Sequence, residues 1–323
     1  MPSSDTNQPI VIATRGSALA LTQSRYVQAR LQSLLPDVPF QIEIFKTKGD
    51  QLQSRAPEDI PANLPKGLFT KELETALLEK RADLAVHSLK DLPTELPEGL
   101  EIAAVSPRED VREVLLLKQP LDSGEDEGNP LAHLPDGAKI GTGSPRRQAF
   151  LTHANDRLQC VPIRGNVPTR IQKLADSPDL DGIILAAAGL KRLGYKLPPT
   201  GPITGNDAPE SIFASILPIN TIIPCVGQGA IGLETRSKDP RIEQICHAFN
   251  DPSTHTCIVT ERTFLAAMGG GCQSPVAAYA SLDKDQLHLI AANVGGSQFK
   301  MRDDRTSAST GPELASRFAE ELR

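Results

Sequence analysis

IVIATRGSALALTQSRYVQARL, residues 10–31, and AKIGTGSPRRQAFLTHA, residues 138–154, are built to one plan. Ile10 to Thr14 is a short apolar, β-branched run that reads as a buried strand. Arg15 and Gly16 make a turn, and Ser17 is a candidate cap for a helix carrying Leu19, Leu21, Tyr26, Val27 and Leu31. In the second stretch Ala138 to Thr142 is the strand, Gly143-Ser144-Pro145 the turn and Arg146 to Ala154 the helix, with Pro145 suited to a first helical position. Two strand-to-helix turns of the same kind predict two similar α/β domains.

The surroundings extend both units. Gln41 to Thr47 reads as a second strand. A polar segment from Gly49 to Pro65 leads to an amphipathic helix with Leu68, Phe69, Leu73, Leu77 and Leu78, and then to a strand from Asp83 to Ser88. Such alternation predicts a largely parallel sheet. Residues 119–136, with acids from Asp122 to Glu127, read as a surface loop. The second unit continues through a strand from Leu158 to Ile163, a helix from Val167 to Ala175 and a strand from Gly182 to Ala187, with a loop from Pro198 to Pro209. Gly227-Gln228-Gly229-Ala230 then enters a strand from Ile231 to Thr235, and a long helix runs from Ser253 to Met268. Strands near Val276 to Ala280 and Leu287 to Ala292, with a helix from Pro312, predict a small α+β domain at the C-terminal end.

Composition narrows the function classes. A chain of 323 residues suits two or three domains. Hydrophobic residues at 39% supply folded cores, and with aromatics at 4% and no Trp those cores must be aliphatic. Lys and Arg total 34 against 40 for Asp and Glu, a net charge of −6 that argues against a general nucleic-acid coat. No apolar run reaches membrane-helix length, and Met1 to Pro9 lacks the basic and apolar regions of a secretory signal, so a cytoplasmic location is expected. Five cysteines without a Cys-x-x-Cys pair, and six scattered histidines, support neither a disulfide framework nor a metal site.

The chemistry lies in the charges. Arg146, Arg147, Arg164, Arg170, Lys191 and Arg192 all fall at or just after predicted strand ends, where open α/β sheets bind ligands. Arginine offers planar, paired donors to carboxylates and phosphates, so the expected ligand is polyanionic. Lys66 and Lys90 add cations from the first domain, and Asp91 adds one carboxylate. A carboxylate among anion-binding cations suits a positive charge that develops during a reaction, or an N–H that needs an acceptor; capping the turn before Pro93 is the structural alternative. Cys272 differs from the other cysteines in following three glycines, which leaves its sulfur unshielded by preceding side chains and makes a reactive or modified thiol plausible.

Taken together these motifs resemble the porphobilinogen deaminase (hydroxymethylbilane synthase) family. ATRGS at 13–17, KGLF at 66–69, HSLKD at 87–91, GTGSPRRQ at 141–148, RGNV at 164–167, AGLKRLG at 188–194, GQGA at 227–230 and Gly271-Cys272 occur in family order. The resemblance implies two α/β domains like those of periplasmic binding proteins plus a small α+β C-terminal domain. It divides the chain into residues 1–108 with 225–246, residues 109–224, and residues 247–323. It implies a dipyrromethane cofactor held by a thioether to Cys272, and four porphobilinogen molecules joined head-to-tail with loss of ammonia before hydroxymethylbilane is released. Asp91 would then be the catalytic carboxylate, stabilising the cation left as ammonia departs. Lys90, Ser88, Thr142, Ser144, Arg146, Arg147, Arg170 and Gly271 would hold the cofactor. Arg15, Ser17, Gln23, Lys66, Phe69, Arg164, Arg192 and Gln228 would handle porphobilinogen or the growing chain. The family also implies a monomer that binds neither nucleic acid nor membrane. Six pyrroles bring twelve carboxylates, which accounts for the number of cations, and a site that must accommodate a chain growing by four units makes the segment from Gly49 to Pro65 a candidate lid. Gly269, Ala62 and Gly143 depart from residues common in relatives. The competing readings are a non-enzymatic anion-binding protein, which has no use for a modified cysteine, and a cysteine hydrolase, for which no histidine stands in a persuasive relation to Cys272.

Overall fold

The computed structural model describes residues 8–53, 67–121, 130–270, 274–295 and 299–323. Lys66, Ala62, Gly271, Cys272, the acids from Asp122 to Glu127 and most of the expected lid lie outside the described residues. The chain forms two compact units, Met1–Pro107 with Ala230–His255, and Arg108–Gly229 with Thr256–Arg323.

In the first unit β1 (Ile10–Thr14) leads through Ser17 into α1 (Ala18–Leu34), with the Ser17 hydroxyl accepting the Ala20 N–H at 3.3 Å. β2 (Phe40–Ile44), α2 (Lys48–Gln53), α3 (Lys71–Leu78), β3 (Leu84–Ser88) and β4 (Leu100–Val105) follow. The sheet order is β2-β1-β3-β11-β4, where β11 (Ile231–Arg236) is contributed after the chain has passed through the second unit. β1 is parallel to β2 and β3, whereas β11 runs antiparallel to β3 and β4. The sheet is therefore mixed: four of its five strands run the same way, as the alternation predicts, and β11 runs against them. One face packs Ile10, Ile12 and Leu84 against Val27 and Leu31 of α1 and against α7 (Pro240–Phe249). The other face sets Ala13 and Ala85 against Leu73, Ala76 and Leu77 of α3. Covering both faces explains why β1 is apolar up to Thr14 and β3 is apolar from Leu84 to Val86.

The second unit repeats the scheme. After β5 (Glu113–Leu117) come β6 (Lys139–Gly141), α4 (Pro145–Ala154), β7 (Gln159–Val161), α5 (Val167–Asp176), β8 (Gly182–Ala186), α6 (Ala187–Arg192), β9 (Thr200–Pro202) and β10 (Phe213–Ile216). In the order β7-β6-β8-β5-β10-β9, β6 lies between two parallel neighbours, as β1 does in its own sheet, and Ser144 caps α4 as Ser17 caps α1. The fourth strand of each sheet is antiparallel and follows a passage of the chain between units, β5 after the first passage and β11 after the return. The C-terminal strands β12 (Val276–Asp283), β13 (Gln286–Asn293) and β14 (Lys300–Ser307) form an antiparallel sheet. Ala278, Ala280, Leu287 and Leu289 pack on α8 (Pro252–Ala267) and α9 (Gly311–Leu322), while Ala277 and Ala292 join Leu131, Phe150 and Leu158. Two mixed α/β sheets and a small C-terminal sheet are the predicted fold class.

Several local readings change. Leu68 and Phe69 lie in a turn before α3, and Leu78 is exposed. On α1 the buried positions are Ala20, Gln23, Ser24, Val27 and Leu31, with Tyr26 outside. Lys48–Gln53, which overlaps the start of the expected polar segment, is helical. At the return passage Gly229 has φ +88°, and a Cβ there would lie 2.4 Å from the Glu109 carbonyl oxygen. Gly229→Ala is expected to cost on the order of 2–3 kcal/mol, read as a lower thermal midpoint by calorimetry.

Candidate active site

In the first unit one pocket is lined by residues from three separate stretches: Arg15, Ser17 and Gln23 at the start of α1, Phe69 before α3, and His87, Ser88 and Asp91 at the end of β3. β3 stops because Leu89–Asp91 tightens into a single 3-10 turn, which brings Asp91 to an exposed position beside the strand end. Gln23 is buried and donates to the Ser88 hydroxyl at 2.8 Å, tying α1 to that end. The Arg15 guanidinium lies 4.2 Å from the centre of the Phe69 ring and donates to Asp50 at 2.5 Å. Burial raises the Asp50 carboxyl, but hydrogen bonds from Arg15 and Thr47 outweigh it and leave the group below its ordinary range. Asp50 was not anticipated from the sequence, where it is one acid in a polar run.

Lys90 sits in the same 3-10 turn, half-buried. Below the pocket Glu74 of α3 has its carboxyl raised, first by burial and further by Glu234 and Glu72, against a hydrogen bond from Thr70 and the nearby His87. A carboxyl raised by folding contributes a stability that falls as pH climbs from its ordinary 4.5 through the raised value. Glu74→Gln is accordingly expected to unfold at a temperature that rises, relative to the unmodified chain, between acidic and neutral pH. Paired thermal melts at several pH values check it.

The second unit gathers the cations. Thr142 is buried, with its hydroxyl accepting the Ser144 N–H at 3.2 Å, and the Ser144 hydroxyl accepts the Arg147 N–H at 3.4 Å. Arg146 and Arg147, only 4% and 7% exposed, share the fully buried carboxylate of Glu113, with Arg147 donating to it at 2.8 Å. Arg146 also reaches the Ile223 carbonyl, and Arg147 the Ile184 carbonyl at 3.0 Å. Two guanidinium groups on one carboxylate leave an excess positive charge, and the Nε of each is buried without a hydrogen-bond partner among the described residues. Orphaned buried donors beside uncompensated charge fit a carboxylate ligand. Glu113 could have been noticed as the one acid heading the apolar run EVLLL.

The other predicted cations are dispersed around the same unit. Arg164 is exposed before α5, and Arg170 donates to the Gly165 carbonyl at 2.7 Å. Arg192 donates to the Gly229 carbonyl at 2.7 Å, while Lys191 meets Asp110 at 2.9 Å. Gln228 is buried and donates to the Val111 carbonyl at 2.8 Å, which makes it part of the return passage. Cys246 and Cys257 are buried thiols, and desolvation pushes Cys246 up to about 12.

The chain is similar to known proteins along nearly its whole length. Residues 10–244 match the family described as "Porphobilinogen deaminase, dipyromethane cofactor binding domain", and residues 255–321 match "Porphobilinogen deaminase, C-terminal domain". The porphobilinogen deaminase of Carboxydothermus hydrogenoformans is 40% identical over 97% of this chain and 93% of its own length. That of Syntrophomonas wolfei is 43% identical over 94% and 93%, and that of Deinococcus deserti 42% over 95% and 94%. With both of its parts matched and relatives aligned along nearly its whole length, the chain belongs to the porphobilinogen deaminase family.

Proposed function

We propose that Asp91 is the reacting centre of this enzyme and Cys272 the anchor of its dipyrromethane cofactor. The activity is the family's: a transferase reaction that joins four porphobilinogen molecules head-to-tail, expels ammonia and releases hydroxymethylbilane for tetrapyrrole synthesis. The observation that carries the assignment is the pocket in which Asp91 meets Arg15, Ser17, Gln23, Phe69 and Ser88, residues far apart in sequence.

Porphobilinogen bears an acetate, a propionate and an aminomethyl group on a pyrrole. Ammonia departs as positive charge spreads into the ring, and a carboxylate accepting the pyrrole N–H stabilises the ring most at that moment. Asp91, presented by the 3-10 turn at the end of β3, is suited to that role. Arg15, oriented by Asp50 and Phe69, and Ser17 and Gln23 would hold the substrate's acidic arms, with Lys66, Arg164, Arg192 and Gln228 as further contacts. The dipyrromethane group supplies a free pyrrole carbon as primer. Arg146, Arg147, Arg170, Lys90, Ser144, Thr142, Ser88 and Gly271 would hold it, and the orphaned Nε donors of the two buried arginines support that reading.

The division into residues 1–108 with 225–246, 109–224 and 247–323 follows the same reading, as does a monomer in the cytoplasm, free of nucleic acid and membrane. Among the described residues no helix is long and apolar enough to cross a membrane. Intact-protein mass is the test. The unmodified chain is expected to carry the added mass of a two-pyrrole group, and Cys272→Ser to lack both that mass and the activity. A fully active protein without the addition overturns the assignment. Light scattering after gel filtration tests the monomer.

A further inference from the structure

On the face of the first sheet that α3 covers, otherwise lined by Ala13, Ala85, Leu73 and Ala76, stand three ionisable side chains: His87 on β3, Glu234 on β11 and Glu74 on α3. They are 5%, 0% and 8% exposed. In the register of β3 and β11, His87 lies opposite Gly232 and Glu234 opposite Ala85, so the histidine and the glutamate point to one face a diagonal step apart. No side chain stands at 232 to separate them, and a Cβ there would lie 2.5 Å from Leu89 Cδ1, so Leu89 would have to shift to admit one. His87 Nε2 comes within 2.9 Å of Glu234 Oε2 without hydrogen-bond alignment, and neither Glu234 oxygen has a hydrogen-bond partner among the described residues. A bare carboxylate at zero exposure is strongly disfavoured unless a positive charge or a proton balances it. The imidazole is the balancing group in reach, and the same ring lines the pocket that holds Asp91.

We propose that His87, braced by Glu234, is a positioning residue of the condensation site: the pair clamps β3 to β11 just before Ser88 and the turn that presents Asp91. The clamp rests on the reading of Asp91 given above. It acts through the Ser88–Gln23 hydrogen bond and the 3-10 turn. The other charged groups packed around it are Glu74 and Glu72 on α3, Arg15 paired with Asp50, Asp91 at the turn, and Arg236 on β11, which is committed to Asp83 and Asp239.

The test is kcat and KM of cofactor-loaded His87→Asn, Glu234→Gln and the double variant, with loading checked by mass. Each single variant is expected to show a kcat on the order of 10-fold lower with KM for porphobilinogen within about threefold. The double variant is expected to be no worse than either single one, because the two groups act together. Unchanged kcat in folded, loaded His87→Asn overturns the clamp, as does additivity in the double variant. If Glu234→Gln fails to fold, His87→Asn decides alone; if neither folds, His87→Gln is measured in its place with the same two outcomes. Failure of the Asp91 reading is separate: it would show as normal turnover by Asp91→Ala, whatever the His87 variants show.

Discussion

Asp91→Ala is expected to lower kcat by at least about 10³-fold while leaving the cofactor mass and the thermal midpoint unchanged. The residue is exposed on a one-turn element, so its removal takes no packing from the core. What it removes is the carboxylate beside the ring in which positive charge develops. Each factor of ten in rate corresponds to about 1.4 kcal/mol at the transition state, so the loss amounts to about 4 kcal/mol. Asp91→Glu keeps the charge but displaces it by a methylene, and a trace of activity is expected to survive. Single-turnover measurement of ammonia release on loaded protein separates this from failure to build the cofactor. Equal turnover by Asp91→Ala and the unmodified enzyme would remove Asp91 from the mechanism.

The largest structural effect is expected at Glu261. This fully buried carboxylate on α8 accepts Arg108 Nη1 at 2.5 Å and Nη2 at 3.0 Å, the Gly227 N–H at 2.8 Å and the Ala280 N–H at 2.8 Å. Arg108 opens the second unit after the first passage, Gly227 precedes the return, and Ala280 lies on β12. One side chain thus ties three segments that are distant in sequence. Burial opposes the Arg108 charge, yet Glu261 more than offsets it and raises the guanidinium above its ordinary value. Glu261→Ala would strand that charge and two backbone donors, at about 3–5 kcal/mol, lowering the thermal midpoint by on the order of 10 °C. Replacing Arg108 and Glu261 together by leucine is expected to cost less than the sum of the single changes, because no buried charge is then left alone. Calorimetry of the three variants checks both statements. Additive losses would mean that the pair acts as two separate packing groups.

Much of the site was legible because it depends on local rules. Ser17 and Ser144 announce helix starts, and the strand-turn-helix stretches around them do occupy equivalent places in the two sheets. Asp91 stood out as a carboxylate among cations just after a strand, whereas Ser88 was picked out through the family motif. Arg146 and Arg147 were picked out as anion binders, but their shared Glu113 was not, because a carboxylate heading an apolar strand is indistinguishable in sequence from a solvated edge residue. His87 was set aside among scattered histidines. Its partner Glu234 is 147 positions away, brought alongside only by the antiparallel pairing of β3 with β11.

Residue order alone determined the two α/β units, the capped helices at their entrances, the cationic character of the second unit and the family, since each rests on short stretches whose propensities and motifs are read without neighbours. Tertiary structure decided which strand completes each sheet, that both sheets are mixed, and which carboxylate answers each buried cation. Strand order and ion pairing are set by long-range contacts, in which burial makes an unbalanced charge too unfavourable to persist and so selects partners that no local pattern encodes.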